Sequence, residues 1–204
     1  MDRSRKPVRS SGFTMIEILV VLVLMVLLLL FSFPSLLKMI NRSKLLGITS
    51  QTSVLMQQAR FEAIKKNVPV FVVADLGYGS LSVVSDDNGN GVWDIATDGL
   101  KARVDLPARI SFWGATDAAA NGATAVTFPA LTCSPSCSNM FAAVYRSDGS
   151  VAATGAFHFA DGKGNFTEVA TMNTATGRSE AHKYEPSTST YVANGYNGKA
   201  WTWQ

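Results

Sequence analysis

The chain has 204 residues, a hydrophobic content of 47% and a formal net charge of +3. Its length suits one globular domain with an appendage rather than two full domains. The positive charge lies entirely in residues 1–12, whose cations are Arg3, Arg5, Lys6 and Arg9, so the rest of the chain is formally neutral. A neutral domain lacks the broad basic surface that nucleic-acid binding requires, which argues against that class of function.

An almost uninterrupted apolar run occupies residues 13–33. Its aliphatic core, residues 18–33, is 16 residues long, and residues 13–16 extend it to the roughly 20 needed to span a bilayer. The segment after the run lacks the small-residue pattern of a signal-peptidase site, so we expect the run to remain as a membrane anchor. The basic residues before it predict a cytoplasmic N-terminus.

Glu17 is an acid near the start of this apolar run. An ionised carboxylate inside a bilayer is costly, so a residue of this kind predicts a functional partner. In a bundle of identical anchors, a cation from the neighbouring subunit could neutralise Glu17 and set the axial register between subunits. The alternative is an acid at the level of the lipid headgroups with no partner.

The helical pattern continues after the anchor, through residues 34–66. Apolar and small side chains recur there at spacings of three and four, which predicts an amphipathic helix packed on another layer. These positions are Leu45, Ile48, Thr52, Leu55, Ala59 and Ala63. Proline removes a backbone donor, so we expect Pro34 to kink or locally melt the helix.

Residues 67–204 change character and predict a β-rich domain of seven or eight short strands. The runs are rich in β-branched and aromatic residues and are separated by Gly, Asn and Asp turns. They are residues 70–74, 81–85, 100–105, 109–113, 125–128, 141–145, 156–159 and 168–172. The segment from residue 187 onward is rich in Ser, Thr, Asn and Gly and predicts a tail. The expected fold class is α+β, with one long N-terminal helix packed on an antiparallel sheet.

Cys133 and Cys137 are the only cysteines of the chain. A pair at this spacing could be half of a zinc site, but no second Cys or His pair accompanies it. A disulfide in an oxidising compartment is the favoured interpretation, with free thiols as the alternative.

Residues 12–17, Gly-Phe-Thr-Met-Ile-Glu, resemble the leader junction of type IV pilins and of the pseudopilins of type II secretion. The resemblance implies that residues 1–12 are a leader, that prepilin peptidase cuts after Gly12, and that Phe13 becomes an N-methylated terminus. Glu17 is then the fifth residue of the mature chain and Pro34 the helix-breaking proline common in these anchors. The α-amine of Phe13 on a neighbouring subunit becomes the candidate partner of Glu17. We expect the pilin fold, with residues 13–33 as transmembrane and filament-core helix.

Residues 58–70, 87–94 and 157–178 are similar to the GspH/FimT group of minor pilins and pseudopilins. The resemblance implies a non-enzymatic subunit placed near the tip of a pseudopilus or pilus. Its expected partners are prepilin peptidase, other pilin-like subunits and the inner membrane, with residues 67–204 in the periplasm. Secretion, pilus biogenesis and natural transformation stay open as the system it serves.

Asp86, Asn88 and Asn90 have the spacing of the first ligands of an EF-hand-like loop, with Gly91 at the sixth position. The twelfth position is Thr97, so the bidentate glutamate of such loops is missing. A calcium site is therefore one interpretation. A Gly/Asn turn between strands is the other, and the pattern favours it.

Arg178, His182 and Lys183 form a short basic segment that follows Gly177, and Arg178 and Lys183 are its candidate DNA contacts. FimT-type pilins associated with DNA capture carry a glycine-arginine motif near the C-terminus, so DNA binding through these two residues is the alternative function. Glu180 and Glu185 dilute the positive field that this role requires.

An enzyme is not expected, because the sequence contains no nucleophile elbow, phosphate-binding loop or set of metal ligands. Only His158 and His182 could act as bases near neutral pH. His158 alternates with two phenylalanines, which predicts that it lies on the opposite face of its strand, in solvent. No cofactor other than calcium is predicted.

Overall fold

A computed structural model describes residues 12–113, 125–194 and 201. It contains one long helix, α1 (Met15–Lys66), followed by eleven strands within the described ranges. The helix ends where Asn67 adopts a left-handed φ of 55° and Pro69 follows, a combination that cannot continue a helix. Lys65 and Lys66 lie in the last turn, where cations favour the negative end of the helix dipole.

The chain divides into two compact units, Met1–Ile40 and Asn41–Gln204. The described part of the first unit consists of residues 12–40 and is helical from Met15 onward. The second unit contains the rest of α1 and all the strands. The backbone keeps its helical assignment across residues 34 and 47, so the local melting expected at Pro34 is absent. A bend of the helix axis at Pro34 stays a prediction.

The first sheet has four antiparallel strands in the order β4-β2-β1-β7. They are β1 (Val70–Asp75), β2 (Ser80–Ser85), β4 (Gly99–Asp105) and β7 (Met140–Tyr145). In the register, Val72 lies between Val83 of β2 and Ala143 of β7. Because side chains alternate along a strand, Val70, Val72 and Ala74 share one face of β1, and Phe71 and Val73 share the other. Both faces are buried.

The second sheet has five antiparallel strands in the order β11-β10-β9-β8-β5. They are β5 (Ser111–Phe112), β8 (Gly155–Ala160), β9 (Phe166–Thr171), β10 (Ser179–Glu185) and β11 (Thr190–Ala193). The α+β prediction of a long helix with antiparallel sheets is therefore confirmed.

One hydrophobic core joins the helix to both sheets. Leu45 and Ile48 of α1 lie in it together with Val72 and Val83 of the first sheet and Phe157 of the second. Thr49 reinforces the helix–sheet contact through a 2.7 Å hydrogen bond between its hydroxyl and that of Thr167 in β9. The apolar positions predicted for the amphipathic helix are buried without exception.

A smaller core lies on the opposite face of the first sheet. Phe71, Val73 and Ala142 contribute to it, and Trp93 and Leu131 pack against them. Two short parallel strands, β3 (Trp93–Asp94) and β6 (Cys133–Ser134), belong to the segments on this side. Hydrophobic burial on both faces explains why β1 consists of consecutive apolar residues rather than an alternating pattern.

The predicted strands differ from the observed ones mainly near the C-terminus. The sequence predicts no strand at β10 or β11: it predicts a basic segment in place of β10 and a tail in place of β11. β10 shows no apolar alternation, because it carries Glu180, His182 and Tyr184 on one face and Lys183 on the other. The predicted strand 125–128 is reduced to a single bridge between Val126 and Phe157.

Candidate assembly site

Thr14 is the N-cap of α1, and Glu17 is the third residue of its first turn. The backbone N–H of Glu17 donates to the Thr14 hydroxyl at 3.3 Å, and the backbone N–H of Thr14 donates to a Glu17 carboxylate oxygen at 3.5 Å. This reciprocal pair is a capping box, which satisfies two helix-end donors that would otherwise lack a partner. Glu17 therefore has a local role within its own chain.

The sequence interpretation of Glu17 missed Thr14, although the signal was present. Thr14 followed three residues later by Glu17 is the Thr-x-x-Glu pattern that marks a helix start. The carboxylate also lies at the positive end of the helix dipole, where a negative charge is favourable. The local geometry lowers the cost of keeping an acid at this position, and it leaves the intermolecular role as a prediction.

Gly12 and Phe13 precede the cap. A Cβ atom added to Gly12 would meet no atom of the described residues within 4 Å. Packing against the described residues therefore does not require glycine here. The Phe13 side chain is 77% exposed. Gly12 and Phe13 are thus both exposed, and the cleavage junction between them stays a prediction.

The apolar run after Glu17 has no partner within the described chain. Its side chains are exposed from Ile18 to Phe31, and the most apolar window has a mean hydropathy of 3.1 with none of it buried. Within the described residues, α1 is the one helix with the length and apolarity to cross a membrane. An apolar surface of this size requires lipid or other helices around it.

Cys133 and Cys137 form a disulfide, with their Cα atoms 5.6 Å apart. The bond closes a short loop that begins in β6, beside the smaller core. Neither cysteine is a free thiol or a metal ligand.

The loop after β2 holds the three residues of the predicted calcium site. The Asp86 carboxylate accepts hydrogen bonds from the backbone N–H groups of Gly89, Asn90 and Gly91, at 2.7 to 3.2 Å. The side-chain amides of Asn88 and Asn90 both donate to Asp94 at 2.7 Å, and these bonds hold the pKa of Asp94 below its usual value.

These contacts favour the turn interpretation of the loop, because its oxygens bind the loop's own N–H groups. Among the described residues no three His, Cys, Asp or Glu side chains converge as metal ligands. Calcium binding at Asp86, Asn88 and Asn90 stays a prediction, and a calorimetric titration of the chain with calcium tests it.

The two residues of the predicted DNA contact have different surroundings. Arg178 has a side chain that is 75% exposed and forms an ion pair with Glu180 at 3.3 Å. Lys183 is only 3% exposed, and burial lowers its pKa. It pairs in register with Thr167, whose hydroxyl bonds to Thr49 of α1, so it faces the helix. The predicted contact is corrected on this point: Lys183 does not belong to an exposed basic surface.

His158 does not lie in solvent, so that prediction was wrong. It occupies the face of β8 opposite the phenylalanines, as expected, but it is only 7% exposed. Its Nε2 lies 3.0 Å from Glu168 on β9, and its ring packs on that of Tyr191 on β11. The neighbouring strands, which sequence alone did not predict in full, cover this face.

A family model described as Type II transport protein GspH matches residues 49–177. The match spans more than half of the chain. The chain belongs to the GspH family. Membership places it among the pseudopilins of type II secretion, which are structural components rather than enzymes. No curated protein and no solved structure matches the chain.

The GspH match begins within the helix and ends at Gly177, at the start of the segment that leads to β10. It covers the first sheet, the loop after β2, the disulfide, β8 and β9. The anchor with Gly12, Phe13 and Glu17 lies outside it, and so do Arg178 and β10. The assignment of roles to these residues therefore depends on their own geometry.

Proposed function

We propose that the chain is a minor pseudopilin of type II secretion. In this proposal prepilin peptidase removes residues 1–12, and residues 13–33 hold the subunit in the inner membrane. Residues 34–66 continue as the amphipathic helix, and residues 67–204 form a periplasmic domain. The supporting observation is the combination of a GspH domain with an apolar helix whose side chains are exposed from Ile18 to Phe31. In the assembled pseudopilus, neighbouring anchors would cover this helix.

Cleavage after Gly12 is supported by the exposure of Gly12 and Phe13, the two residues that the cut would separate. The exposed Phe13 would become the new N-terminus, and methylation of its amine would follow. Removal of the leader also removes all the excess positive charge of the chain. Mass spectrometry of the mature protein tests this step: we expect a chain that begins at methylated Phe13. A mature protein that still carries residues 1–12 would contradict it.

Glu17 would then pair with the α-amine of Phe13 on a neighbouring subunit. The carboxylate accepts a hydrogen bond from the backbone N–H of Thr14, which keeps it at the N-terminal end of its own helix. Within a bundle of anchors, an unpaired carboxylate is strongly unfavourable, because removing one partner of a buried ion pair costs about 3–5 kcal/mol. The pair would therefore define the axial position at which each subunit enters the pseudopilus.

The capping box offers a control that separates charge from helix capping. Glutamine also completes a capping box, so Glu17→Gln keeps the local role and loses the charge, whereas Thr14→Ala weakens the cap and keeps the charge. We expect Glu17→Gln to be processed normally and to be depleted from sheared pseudopili by more than about a hundredfold. Thr14→Ala should be incorporated.

Normal incorporation of Glu17→Gln together with loss of Thr14→Ala would show that capping alone explains Glu17. Incorporation is measured by immunoblotting of the sheared fraction against the membrane fraction. Placement near the tip is tested separately by gold labelling of the subunit along isolated pseudopili.

DNA binding in the manner of a FimT-like pilin is the second candidate. The exposed side chain of Arg178 supports it, whereas the ion pair with Glu180 and the burial of Lys183 limit the basic surface. A mobility-shift assay at low salt tests it. A shift that Arg178→Ala abolishes and that rising salt weakens would support DNA binding. A shift equal in Lys163→Ala and Arg178→Ala would indicate non-specific attraction.

A further inference from the structure

The second sheet carries a row of three ionisable side chains on one face. His158 of β8 pairs in register with Glu168 of β9, and Glu168 pairs with His182 of β10. His158 Nε2 lies 3.0 Å from Glu168 Oε2, and His182 Nδ1 lies 3.0 Å from Glu168 Oε1. The three side chains are 9% to 12% exposed. One nearly buried carboxylate therefore accepts hydrogen bonds from two imidazoles on different strands.

The two imidazoles differ at their second nitrogen. His158 Nδ1 is buried and has no hydrogen-bond partner among the residues that the structure describes. Protonation of this atom would bury an unpaired N–H, which is costly. Among the described residues, His158 therefore has a partner for an N–H group at Nε2, which is Glu168, and none for an N–H group at Nδ1.

His182 has a carboxylate on each side. Its Nε2 lies 3.7 Å from Glu180 Oε2, within ion-pair distance, while Nδ1 bonds to Glu168. An imidazolium at this position directs both N–H groups at negative charges. The hydrogen bond to Glu168 is the largest cause that raises the pKa of His182 above its usual value, and the charges of Glu168 and Glu180 act in the same direction. A proton taken up by the row therefore resides on His182.

Among the described residues, the ionisable groups on the same face of the sheet as His182 are Glu168 on β9, His158 on β8, Tyr191 on β11, and Glu180 and Tyr184 on β10. The β5 strand adds no ionisable side chain. Glu180 is shared, since its other oxygen lies 3.3 Å from Arg178. Lys183 points to the opposite face.

We propose that His182 is a proton-operated clasp on the C-terminal half of the second sheet. In its protonated form it ties β10 to β9 through Glu168 and also holds Glu180. In its neutral form it keeps the hydrogen bond to Glu168 without the charge assistance, and it no longer attracts Glu180, which then pairs with Arg178 alone. Because the bond between β10 and β9 is then weaker, β10 is held less firmly on the sheet. The domain thereby responds to the pH of its surroundings.

The pH range of the clasp follows from the signs of the two shifts. The pKa of His182 is raised on folding, so its contribution to stability is complete below the unfolded value of about 6.5 and disappears as pH rises through the folded value. Burial raises the pKa of Glu168, but hydrogen bonds from His158 and His182 outweigh it and the net shift is downward. Its contribution is present above about pH 4.3 and disappears in stronger acid. The clasp is therefore closed from about pH 4.3 up to the raised pKa of His182 in the folded protein.

The two histidines of the chain allow a direct test by NMR. The full chain, labelled with ¹⁵N-histidine and held in detergent micelles, contains only these two imidazoles. His182→Gln assigns them. We expect His182 to titrate above the ordinary histidine value, and Glu168→Gln to lower its proton affinity by about tenfold or more. Glu180→Gln should lower it less, and Glu62→Gln on α1 should leave it unchanged.

Hydrogen exchange provides the structural readout. Protection of the β10 amides, corrected for intrinsic exchange, should fall as the pH rises through the raised pKa of His182, and His182→Gln should remove this dependence. The proposal is overturned if both histidines titrate together near their ordinary pKa, or if β10 protection in the wild type and in His182→Gln changes equally with pH. If Glu168→Gln fails to fold, Glu180→Gln and the wild-type titration decide the matter.

Discussion

Aliphatic side chains have opposite surroundings in the two units of this chain. Between Ile18 and Phe31 the valines and leucines of α1 are exposed, whereas Leu45 and Ile48, further along the same helix, are essentially inaccessible. Composition does not explain the difference, because both stretches are rich in leucine. The second unit supplies its own sheets as partners, and the described part of the first supplies none. The first unit therefore depends on lipid or other subunits, while the second is stabilised from within.

The largest expected effect on the free energy of unfolding comes from a leucine-to-alanine substitution, compared at two positions of α1. Leu45→Ala removes a fully buried side chain and should cost about 2–5 kcal/mol of the free energy of unfolding. Leu24→Ala removes the same atoms from a side chain that is 54% exposed and should change it by less than about 0.5 kcal/mol. Urea unfolding of the full chain in detergent micelles, followed by tryptophan fluorescence, measures both. An equal loss of unfolding free energy in both variants would contradict the difference in burial between the two units.

A glycine pair tests how tightly the second unit is packed. Gly177 has a φ of 57°, and an added Cβ would collide with the carbonyl oxygen of Gly149. Gly162 has a similar φ of 68° with open space around it. Gly162→Ala should cost only the left-handed backbone penalty of about 1–2 kcal/mol, and Gly177→Ala should cost clearly more. Thermal unfolding ranks the two variants, and the reverse order would contradict the close approach of Gly177 to Gly149.

The helix–sheet hydrogen bond of the second unit should contribute a smaller amount. The Thr49 hydroxyl donates to the Leu45 carbonyl, so Thr167 is the donor in the 2.7 Å bond between the two threonines. Thr49→Val leaves the buried Thr167 hydroxyl without its acceptor and should cost about 1–2 kcal/mol. The double variant with Thr167→Val should cost less than the sum of the single ones, because neither partner is then left unpaired. Simple additivity would show that the bond does not couple helix and sheet.

The smallest expected effect concerns an apolar side chain of the second unit that is exposed, as are the side chains from Ile18 to Phe31. Phe61 lies on α1 and is 67% exposed. Phe61→Ala should leave the free energy of unfolding within about 0.5 kcal/mol of the wild type, because little surface is lost and alanine favours a helix. A loss above about 1 kcal/mol would show that Phe61 is covered within its own chain.

The parts of the fold that were predicted from sequence are those with a local periodic signal. The helix follows from apolar spacings of three and four, and β1, β2, β7, β8 and β9 follow from dense β-branched and aromatic runs. β10 was missed because its residues are polar on one face and alternate between Ala181 and Lys183 on the other. Their burial depends on partners from other strands, which no local window contains.

Glu17 of the candidate assembly site could be identified from the residues next to it in sequence, whereas the surroundings of the ionisable residues in the sheets could not. Glu17 was identified because an acid is rare in an apolar run, and its capping partner Thr14 lies three residues away. The environments of His158 and Lys183 were predicted wrongly, since each is decided by a residue distant in sequence. His158 is covered by Glu168 and Tyr191 from neighbouring strands. Lys183 lies on the side of β10 that faces the helix.

The sequence by itself determined the long apolar run, the basic residues before it, the acid at its start and the change from helix to strands. These features depend on composition and spacing over a few residues, and no distant contact changes them. Only the tertiary structure decided which ionisable side chains are buried and which pairs they form. Glu168 meets His158 and His182 because the strand register aligns residues 10 and 14 positions away along the chain. Burial and pairing are properties of that register, so they appear only once the sheet is formed.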